Sequence, residues 1–267
     1  MLPAVDGEGK PGAEPVNGAG TRGSDEPGKP GAPEQGKPGA DEQGRAREAA
    51  ARAAVERIEP GMTIGLGSGR AVWRAIELIG ERWPDTPPVR SAFASEVTKE
   101  KAAAVGIEAV ELDGDTVLDL AIDGADEIDP QLRVIKGGGA ALLREKIVIL
   151  AANQFLVVAE TAKRVQRLGE RFRLPVEVIK FGWRDTRERV LDIVPTAELR
   201  LDAHDAPKVT DENHYLLDCA LPEQGDLQEL GDRLKATTGV VEHGLFIDLA
   251  TEALLGTPQG NLETMQK

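Results

Sequence analysis

The sequence predicts an α/β fold, a parallel-type sheet with helices on both faces plus a smaller α+β subdomain. Between residues 45 and 174, short apolar runs alternate with helical patterns, which is typical of a parallel sheet covered by helices. After about Leu174 the pattern changes to strand-like runs with only two helical stretches, which indicates a second, smaller unit. The length of 267 residues allows one large domain or two modest ones.

The α/β unit is predicted over residues 45–174 and begins with an Ala-rich helix, Arg45–Ile58, which Glu59-Pro-Gly61 ends. Ser95 is a suitable N-cap for a later helix, because its hydroxyl can accept a backbone N–H of the first turn. The remaining predicted elements are strands at Met62–Leu66, Val89–Ala94, Ile107–Leu112, Val117–Ile122 and Phe155–Ala159, and helices at Ala71–Arg82, Thr98–Val105 and Ala140–Ala151.

The α+β subdomain is predicted over residues 175–243. Its predicted strands are Val176–Phe181, Glu198–Leu201 and His214–Leu221, and its predicted helices are Thr186–Ile193 and Asp226–Ala236. Residues 244–267 are expected to return to the main sheet through the apolar run Gly244–Leu255 and to end in a C-terminal tail.

The first 44 residues have a different composition. They repeat Gly-Lys-Pro-Gly-Ala three times and contain 11 Gly and 7 Pro. Such a segment cannot bury enough apolar surface to offset its conformational entropy, so residues 1–44 are expected to form a disordered tail. An over-extended gene start would leave the same composition.

The net charge of −14 disfavours binding to nucleic acids and to anionic membranes, because long-range repulsion opposes both. No apolar run reaches the length of a membrane span, and no hydrophobic signal region begins the chain, so a cytoplasmic location is expected. The single cysteine, Cys219, lies in an apolar run, which favours a buried structural residue over a nucleophile.

The first candidate site is the glycine-rich run Gly65–Ala71, between a predicted strand and a predicted helix. Glycines let a backbone approach a ligand closely, and the helix N-terminus favours an anion. Arg70 occupies the sixth position of a would-be G-x-G-x-x-G, so the dinucleotide fingerprint fails, and no P-loop Lys-Ser/Thr pair follows. A phosphate or sugar-phosphate loop and a merely structural turn both remain.

The second candidate is the acidic turn Asp123–Asp129 after an apolar strand. Ligands of open α/β sheets bind outside the carboxyl ends of strands, and the closely spaced Asp123 and Asp126 could titrate together and hold a proton. The spacing does not match an EF-hand calcium loop. A solvated acidic turn is the alternative.

The third candidate is Lys136 with Gly137, Gly138 and Gly139, which precede a helix that contains Glu145. A lysine ahead of exposed backbone N–H groups suits the binding of an oxyanion. Periodicity alone favours a solvated helix face for Glu145. The three histidines lack zinc-ligand spacing, and no G-x-S-x-G elbow is present, so no metal site or hydrolase triad is predicted.

Together these segments resemble the type A ribose-5-phosphate isomerases from about Arg45 to Thr257. The most specific motifs are Asp-Gly-Ala-Asp-Glu at 123–127 and Ile-Lys-Gly-Gly-Gly-Ala-Ala-Leu-Leu-Arg-Glu-Lys-Ile at 135–147. The segments Leu174–Val178, Gly244–Phe246 and Leu255–Thr257 are also similar to family segments.

The resemblance implies an intramolecular oxidoreductase that interconverts ribose 5-phosphate and ribulose 5-phosphate through an enediolate, in the non-oxidative pentose phosphate pathway. It implies no metal or organic cofactor, a sugar phosphate as the small-molecule partner, and a homodimer or homotetramer. By this resemblance Glu145 is the general base, and Lys136 and Asp123 lie beside the reacting oxygens. The substrate-binding residues implied by the resemblance or by the glycine runs are Ser68, Gly69, Arg70, Ala71, Asp126, Gly137, Gly138, Gly139 and Lys163.

The chain departs from the family loop Gly-Thr-Gly-Ser-Thr, because Arg70 and Ala71 replace two hydroxyl residues. Arg70 could contact phosphate directly or narrow the pocket, and Arg47 replaces a lysine of some relatives. An amino-sugar-phosphate deaminase, a lactonase and a sugar-phosphate sensor without catalysis are the rival hypotheses, which the full motifs and the retained Glu145 disfavour.

Overall fold

The computed structural model describes residues 39–267. The helices are α1 (Ala40–Glu56), α2 (Arg70–Arg82), α3 (Glu96–Ala104), α4 (Leu142–Leu150), α5 (Trp183–Leu191) and α6 (Leu227–Lys235). The strands are β1 (Thr63–Leu66), β2 (Arg90–Phe93), β3 (Glu108–Ala109), β4 (Leu120–Asp123), β5 (Glu127–Ile128), β6 (Val134–Ile135), β7 (Phe155–Glu160), β8 (Leu174–Val178), β9 (Ala197–Leu199), β10 (Tyr215–Cys219), β11 (Val240–His243), β12 (Leu245–Phe246), β13 (Glu252–Gly256) and β14 (Leu262–Gln266). Within this range no helix is long and apolar enough to cross a membrane.

The main sheet has seven strands in the order β14-β13-β7-β4-β1-β2-β3. All neighbouring pairs are parallel except β13 with β14. Ile64, Leu66 and Ile122 pack with α1 and α2 on one face. Ala92 and Leu118 pack with Val148 of α4 on the other face. The predicted α/β fold with helices on both faces is therefore confirmed.

The first helix begins at Ala40, earlier than the predicted Arg45, so the predicted tail boundary at residue 44 is wrong. Asp41 and Glu42 lie in the first turn, where carboxylates interact favourably with the helix dipole. The Glu42 carboxylate also accepts the backbone N–H of Gly39 at 2.9 Å. The rest of the tail prediction concerns residues outside the described range.

The second region contains a four-stranded antiparallel sheet, β11-β8-β10-β9, together with α5 and α6. Three of these strands and both helices match predicted elements, whereas β11 was not predicted. The buried Cys219 lies in this core, as expected for a structural residue. Burial raises the pKa of its thiol to about 12, which keeps the thiol protonated.

The end of the chain is more divided than the sequence indicates. β12 pairs with β6 in a separate three-stranded sheet, β12-β6-β5, and the chain returns to the main sheet at β13. The predicted C-terminal tail is wrong for residues 262–266, because β14 pairs with β13 along its whole length as an antiparallel edge strand. The apolar run from Gly244 therefore serves two sheets.

Candidate active site

Three adjacent strands of the main sheet end at one cavity. β1 leads into Gly67, β4 ends at Asp123 and β7 ends at Glu160, and the three strands are neighbours in the order β7-β4-β1. The carboxyl edge of a parallel sheet is the usual ligand site of such folds. The cavity has a volume of about 350 Å³ and is lined by Arg47, Ser68, Gly69, Arg70, Ala71, Trp73, Gly124, Ala125, Asp126, Lys136, Gly137, Gly138, Gly139, Glu145, Val158, Glu160 and Lys163.

Asp123 lies directly against the glycine-rich loop. A Cβ placed on Gly67 would lie 1.8 Å from the Asp123 Cγ, so only glycine allows this contact. One carboxylate oxygen, Oδ1, accepts the backbone N–H groups of Ser68 at 3.2 Å and Gly124 at 2.7 Å. The side chain is fully buried. The loop and the end of β4 therefore fix the carboxylate in one position.

Lys136 connects the two candidate acid–base carboxyls. Its Nζ lies 3.0 Å from Asp123 Oδ2 and 3.3 Å from Glu145 Oε2, and it donates a hydrogen bond of 2.8 Å to the carbonyl of Gly124. Neither of these two carboxylate oxygens has a well-aligned hydrogen bond within residues 39–267, so the ion pairs with Lys136 hold them. All three side chains are buried.

Burial sets the ionisation of this cluster. Desolvation and the nearby Asp123 carboxylate raise the pKa of Glu145 to about 8, although Lys136 opposes the rise. Desolvation also raises the pKa of Asp123 against the attraction of Lys136. Burial by itself lowers the pKa of Lys136, but Asp123 and Glu145 outweigh it and leave that pKa above its usual range. The cluster thus retains a proton close to neutral pH.

Helix α4 directs its charged residues to different environments. Glu145 points into the cavity with 4% exposure, so the solvated face that periodicity favours is wrong for this residue. Arg144 faces outward and pairs with Glu96 at 2.8 Å and with Glu212. Since Ala141 and Leu142 are buried beside Glu145, the first turn of the helix lies inside the protein.

The cavity is also lined by two cations that lack a partner among the described residues. Within residues 39–267, neither Arg70 nor Lys163 has a hydrogen bond or ion pair from its side chain, and both line the cavity. Arg47 instead pairs with Glu160 at 2.9 Å. Positive groups without a carboxylate partner are available to an anionic ligand.

The third glycine run also lines the cavity. The backbone N–H of Gly138 donates 2.7 Å to Asp126, and a Cβ on Gly138 would lie 2.5 Å from that carboxylate. Asp126 therefore holds the run in place and contributes an acceptor to the wall of the cavity.

The structure brings the predicted site residues together. All of them line the cavity except Asp123, whose carboxylate lies against Gly67 and 3.0 Å from the Lys136 ammonium. Trp73, Val158 and Glu160 line the cavity and were not predicted. Glu160 had a recognisable signal, since it directly follows the predicted strand Phe155–Ala159 at the carboxyl edge of the sheet.

A buried carboxyl and lysine in a small cavity that unpaired cations also line are typical of enzymes that move protons on anionic substrates. Comparisons with known proteins agree with this class. The family model described as ribose 5-phosphate isomerase A (phosphoriboisomerase A) matches residues 92–260. The chain belongs to the ribose 5-phosphate isomerase A family.

Curated relatives span nearly the same length. The ribose-5-phosphate isomerase A of Synechococcus sp. (strain JA-3-3Ab) is 43% identical over 223 residues, which cover 83% of this chain and 96% of that protein. The protein of the same name from Roseiflexus sp. (strain RS-1) is 44% identical over 219 residues, with 81% and 94% coverage.

Solved structures show the same fold. The ribose 5-phosphate isomerase of Plasmodium falciparum has a TM-score of 0.79 and 32% identity, with 84% of this chain and 99% of that chain covered. A D-ribose-5-phosphate isomerase solved in complex with phospho-erythronic acid has a TM-score of 0.78 and 34% identity, with 83% and 97% coverage.

Proposed function

We propose that this protein interconverts D-ribose 5-phosphate and D-ribulose 5-phosphate. The observation that carries the proposal is the 3.3 Å pair of Glu145 and Lys136 in a cavity that Arg70 and Lys163 also line. An open-chain pentose phosphate has a carbonyl end that needs a base and an oxyanion partner, and a phosphate end that needs cations. The family membership supports the same reaction.

Glu145 is the proposed general base. Its carboxylate takes the proton from C2 of the open-chain aldose. A double bond forms between C1 and C2, and the C1 oxygen takes the negative charge of the enediolate. The proton of the C2 hydroxyl then passes to the C1 oxygen, the C2 oxygen becomes the ketone, and Glu145 returns its proton to C1. A pKa near 8 makes the carboxylate a stronger base than an ordinary glutamate.

Lys136 is the proposed oxyanion partner. Its ammonium group is already held beside Glu145 and needs no rearrangement when charge develops on the substrate oxygens. Asp123, behind it, keeps the ammonium charged and in place. Its proposed role is therefore to support Lys136, with any part in ring opening exerted through that lysine.

The phosphate end is assigned to the unpaired cations. Arg70 and Lys163 provide charge, and Gly69, Arg70 and Ala71 add backbone N–H groups at the start of α2. Gly137, Gly138, Gly139 and Asp126 are the proposed contacts to the sugar hydroxyls along the wall between the two ends.

The test is turnover of ribose 5-phosphate by the purified protein in excess chelator. Glu145→Gln should remove nearly all activity, and Lys136→Ala should lower kcat more than it changes KM. Glu229→Gln, an exposed carboxyl on α6, is the matched control and should be fully active. Substantial turnover by Glu145→Gln would refute the assigned base.

A substrate panel separates the rival functions. An amino-sugar phosphate or a sugar lactone that reacts faster than ribose 5-phosphate would place the protein among deaminases or lactonases. Tight binding of ribose 5-phosphate without turnover would identify a sensor. Phospho-erythronic acid, which is bound in one relative, should compete with the substrate of this protein.

The wider setting is proposed from the same family. We expect the reaction to belong to the non-oxidative pentose phosphate pathway, in the cytoplasm, and to need no metal or organic cofactor. We also expect a homodimer or homotetramer, which light scattering on the purified chain would distinguish from a monomer.

A further inference from the structure

Lys146 follows the proposed base directly in the sequence and is itself buried. Its Nζ is 2.7 Å from the Glu242 carboxylate and donates to two backbone carbonyls, those of His243 at 2.8 Å and Leu245 at 3.0 Å. The proposed mechanism gives this ammonium group no role. A buried lysine with all three donors committed to one short segment fixes that segment firmly.

The segment that Lys146 holds is hydrogen-bonded to the backbone of Lys136. The two carbonyls flank Gly244, whose own carbonyl accepts the backbone N–H of Lys136 at 2.9 Å. A Cβ on Gly244 would lie 2.2 Å from the Lys136 carbonyl oxygen, so the two backbones are in direct contact. Leu245 also pairs with Ile135 between β12 and β6.

Phe246 forms a second connection between the two lysines. Its ring is fully buried and lies 4.7 Å from the Lys146 ammonium and 5.7 Å from the Lys136 ammonium. A ring face attracts a nearby cation and limits where that cation can move. The backbone and the ring therefore both transmit the position of Lys146 to Lys136.

We propose that Lys146 is a positioning residue for the reaction, which holds Lys136 at its distance from Glu145 by fixing the segment His243–Phe246. Glu145 and Lys146 are consecutive on α4, so one helical turn carries the base and also binds the segment that pairs with the backbone of Lys136. The inference rests on the proposed function, because it assigns Lys146 a role only through Lys136.

A purely structural ion pair is the competing explanation, and the chain offers a matched control for it. Lys235 on α6 pairs with the same carboxylate, Glu242, at 2.7 Å, and its other bond is to the carbonyl of Val241. It has no bond to the carbonyls that flank Gly244. Lys235→Met therefore removes one ion pair of the same buried carboxylate but leaves the bonds of Lys146 to the carbonyls of His243 and Leu245 in place.

The experiment compares kcat and KM for Lys146→Met and Lys235→Met at matched fractions of folded protein. Lys146→Met should lower kcat by about 10- to 100-fold, the usual effect of a misplaced catalytic group. Its KM should stay near the wild-type value, because the phosphate contacts are untouched. Lys235→Met should keep the wild-type kcat.

A double variant then tests whether the effect passes through Lys136. Combined with Lys136→Ala, the Lys146→Met change should lower kcat no further, because the group that it positions is gone. If the two losses multiply, Lys146 acts independently of Lys136 and the proposal is overturned. An equal loss in Lys235→Met would also overturn it.

A companion variant protects the test against misfolding. Lys146→Met leaves the Glu242 carboxylate with only one of its two ammonium partners, Lys235. Adding Glu242→Gln removes the charge of this buried carboxylate and keeps an acceptor for the His243 N–H. Its kcat should remain low, and a return to wild-type kcat would contradict the proposal. Failure of the proposed function is a separate result, since it would appear as no turnover of ribose 5-phosphate by the wild type, and failure of the assigned residues would appear as full activity in Glu145→Gln and Lys136→Ala.

Discussion

The raised pKa of Glu145 predicts that the proposed base destabilises the folded protein at alkaline pH. The folded state holds this proton up to about pH 8, whereas the unfolded chain releases it near 4.5. The associated stability is fully present below pH 4.5 and is lost as the pH rises through 8. The difference corresponds to about 5 kcal/mol in the free energy of unfolding. Solvent screens this carboxylate little, because the side chain is buried.

Glu145→Gln should abolish this loss, because glutamine has the shape of the protonated acid and does not titrate. Urea unfolding at about pH 5.5 and pH 8.5 measures it, with the difference between wild type and variant taken at each pH. The variant should gain stability relative to wild type at the higher pH by a few kcal/mol, whereas the exposed Glu229→Gln should not. If the free energy of unfolding changes equally for wild type and Glu145→Gln between the two pH values, the carboxyl ionises in the fold without the expected cost.

Three further predictions concern the loop, the phosphate end and a helix cap. Gly67→Ala should lower kcat and cost about 1–3 kcal/mol in urea unfolding, because its Cβ would lie 1.8 Å from Asp123. Its control is Gly44→Ala in α1, where a Cβ would meet nothing within 4 Å, and this change should stabilise the folded protein by up to about 1 kcal/mol. Lys163→Met should raise KM about 10- to 150-fold with kcat retained, the worth of a charged hydrogen bond, and an unchanged KM in steady-state kinetics would remove it from the site. Ser95→Ala should cost about 1 kcal/mol in the free energy of unfolding, since this N-cap accepts the backbone N–H of Thr98 at 3.2 Å, and no change in the urea midpoint would contradict the cap.

The parts of the fold that depend on local pattern were predictable. Alternating apolar and helical runs predicted the parallel sheet, and the Ser95 cap is confirmed by its hydrogen bond to α3. The carboxyl-edge rule for α/β sheets predicted a ligand site at the acidic turn after β4, and Gly67 lies at the same edge because β1 and β4 are neighbours in the structure. Short strands of two residues, such as β5 and β12, have too little sequence for any pattern to indicate them.

The environment of each site residue depends on distant contacts and was not predictable from spacing. Glu145 has charged neighbours on both sides in the sequence, yet tertiary packing turns it and Lys146 inward while Arg144 stays at the surface. The role of Asp123 beside the reacting oxygens stays a prediction, and what spacing could not indicate is that its carboxylate is buried against Gly67 and paired with Lys136. The resemblance to a family identified these residues, and the physics of burial explains their ionisation.

The strand order also constrains how the chain folds as it is synthesised. On its outer side β7 pairs with β13, whose residues follow almost the entire second region in the sequence. Until Glu252–Gly256 leave the ribosome, β7 is an open edge with unpaired N–H and C=O groups that can recruit other chains. The segment His243–Phe246 emerges just before it. A nascent chain therefore closes its sheet and completes its site in the same late step, and the exposed edge of β7 is the place where a chaperone or an aggregating neighbour would bind first.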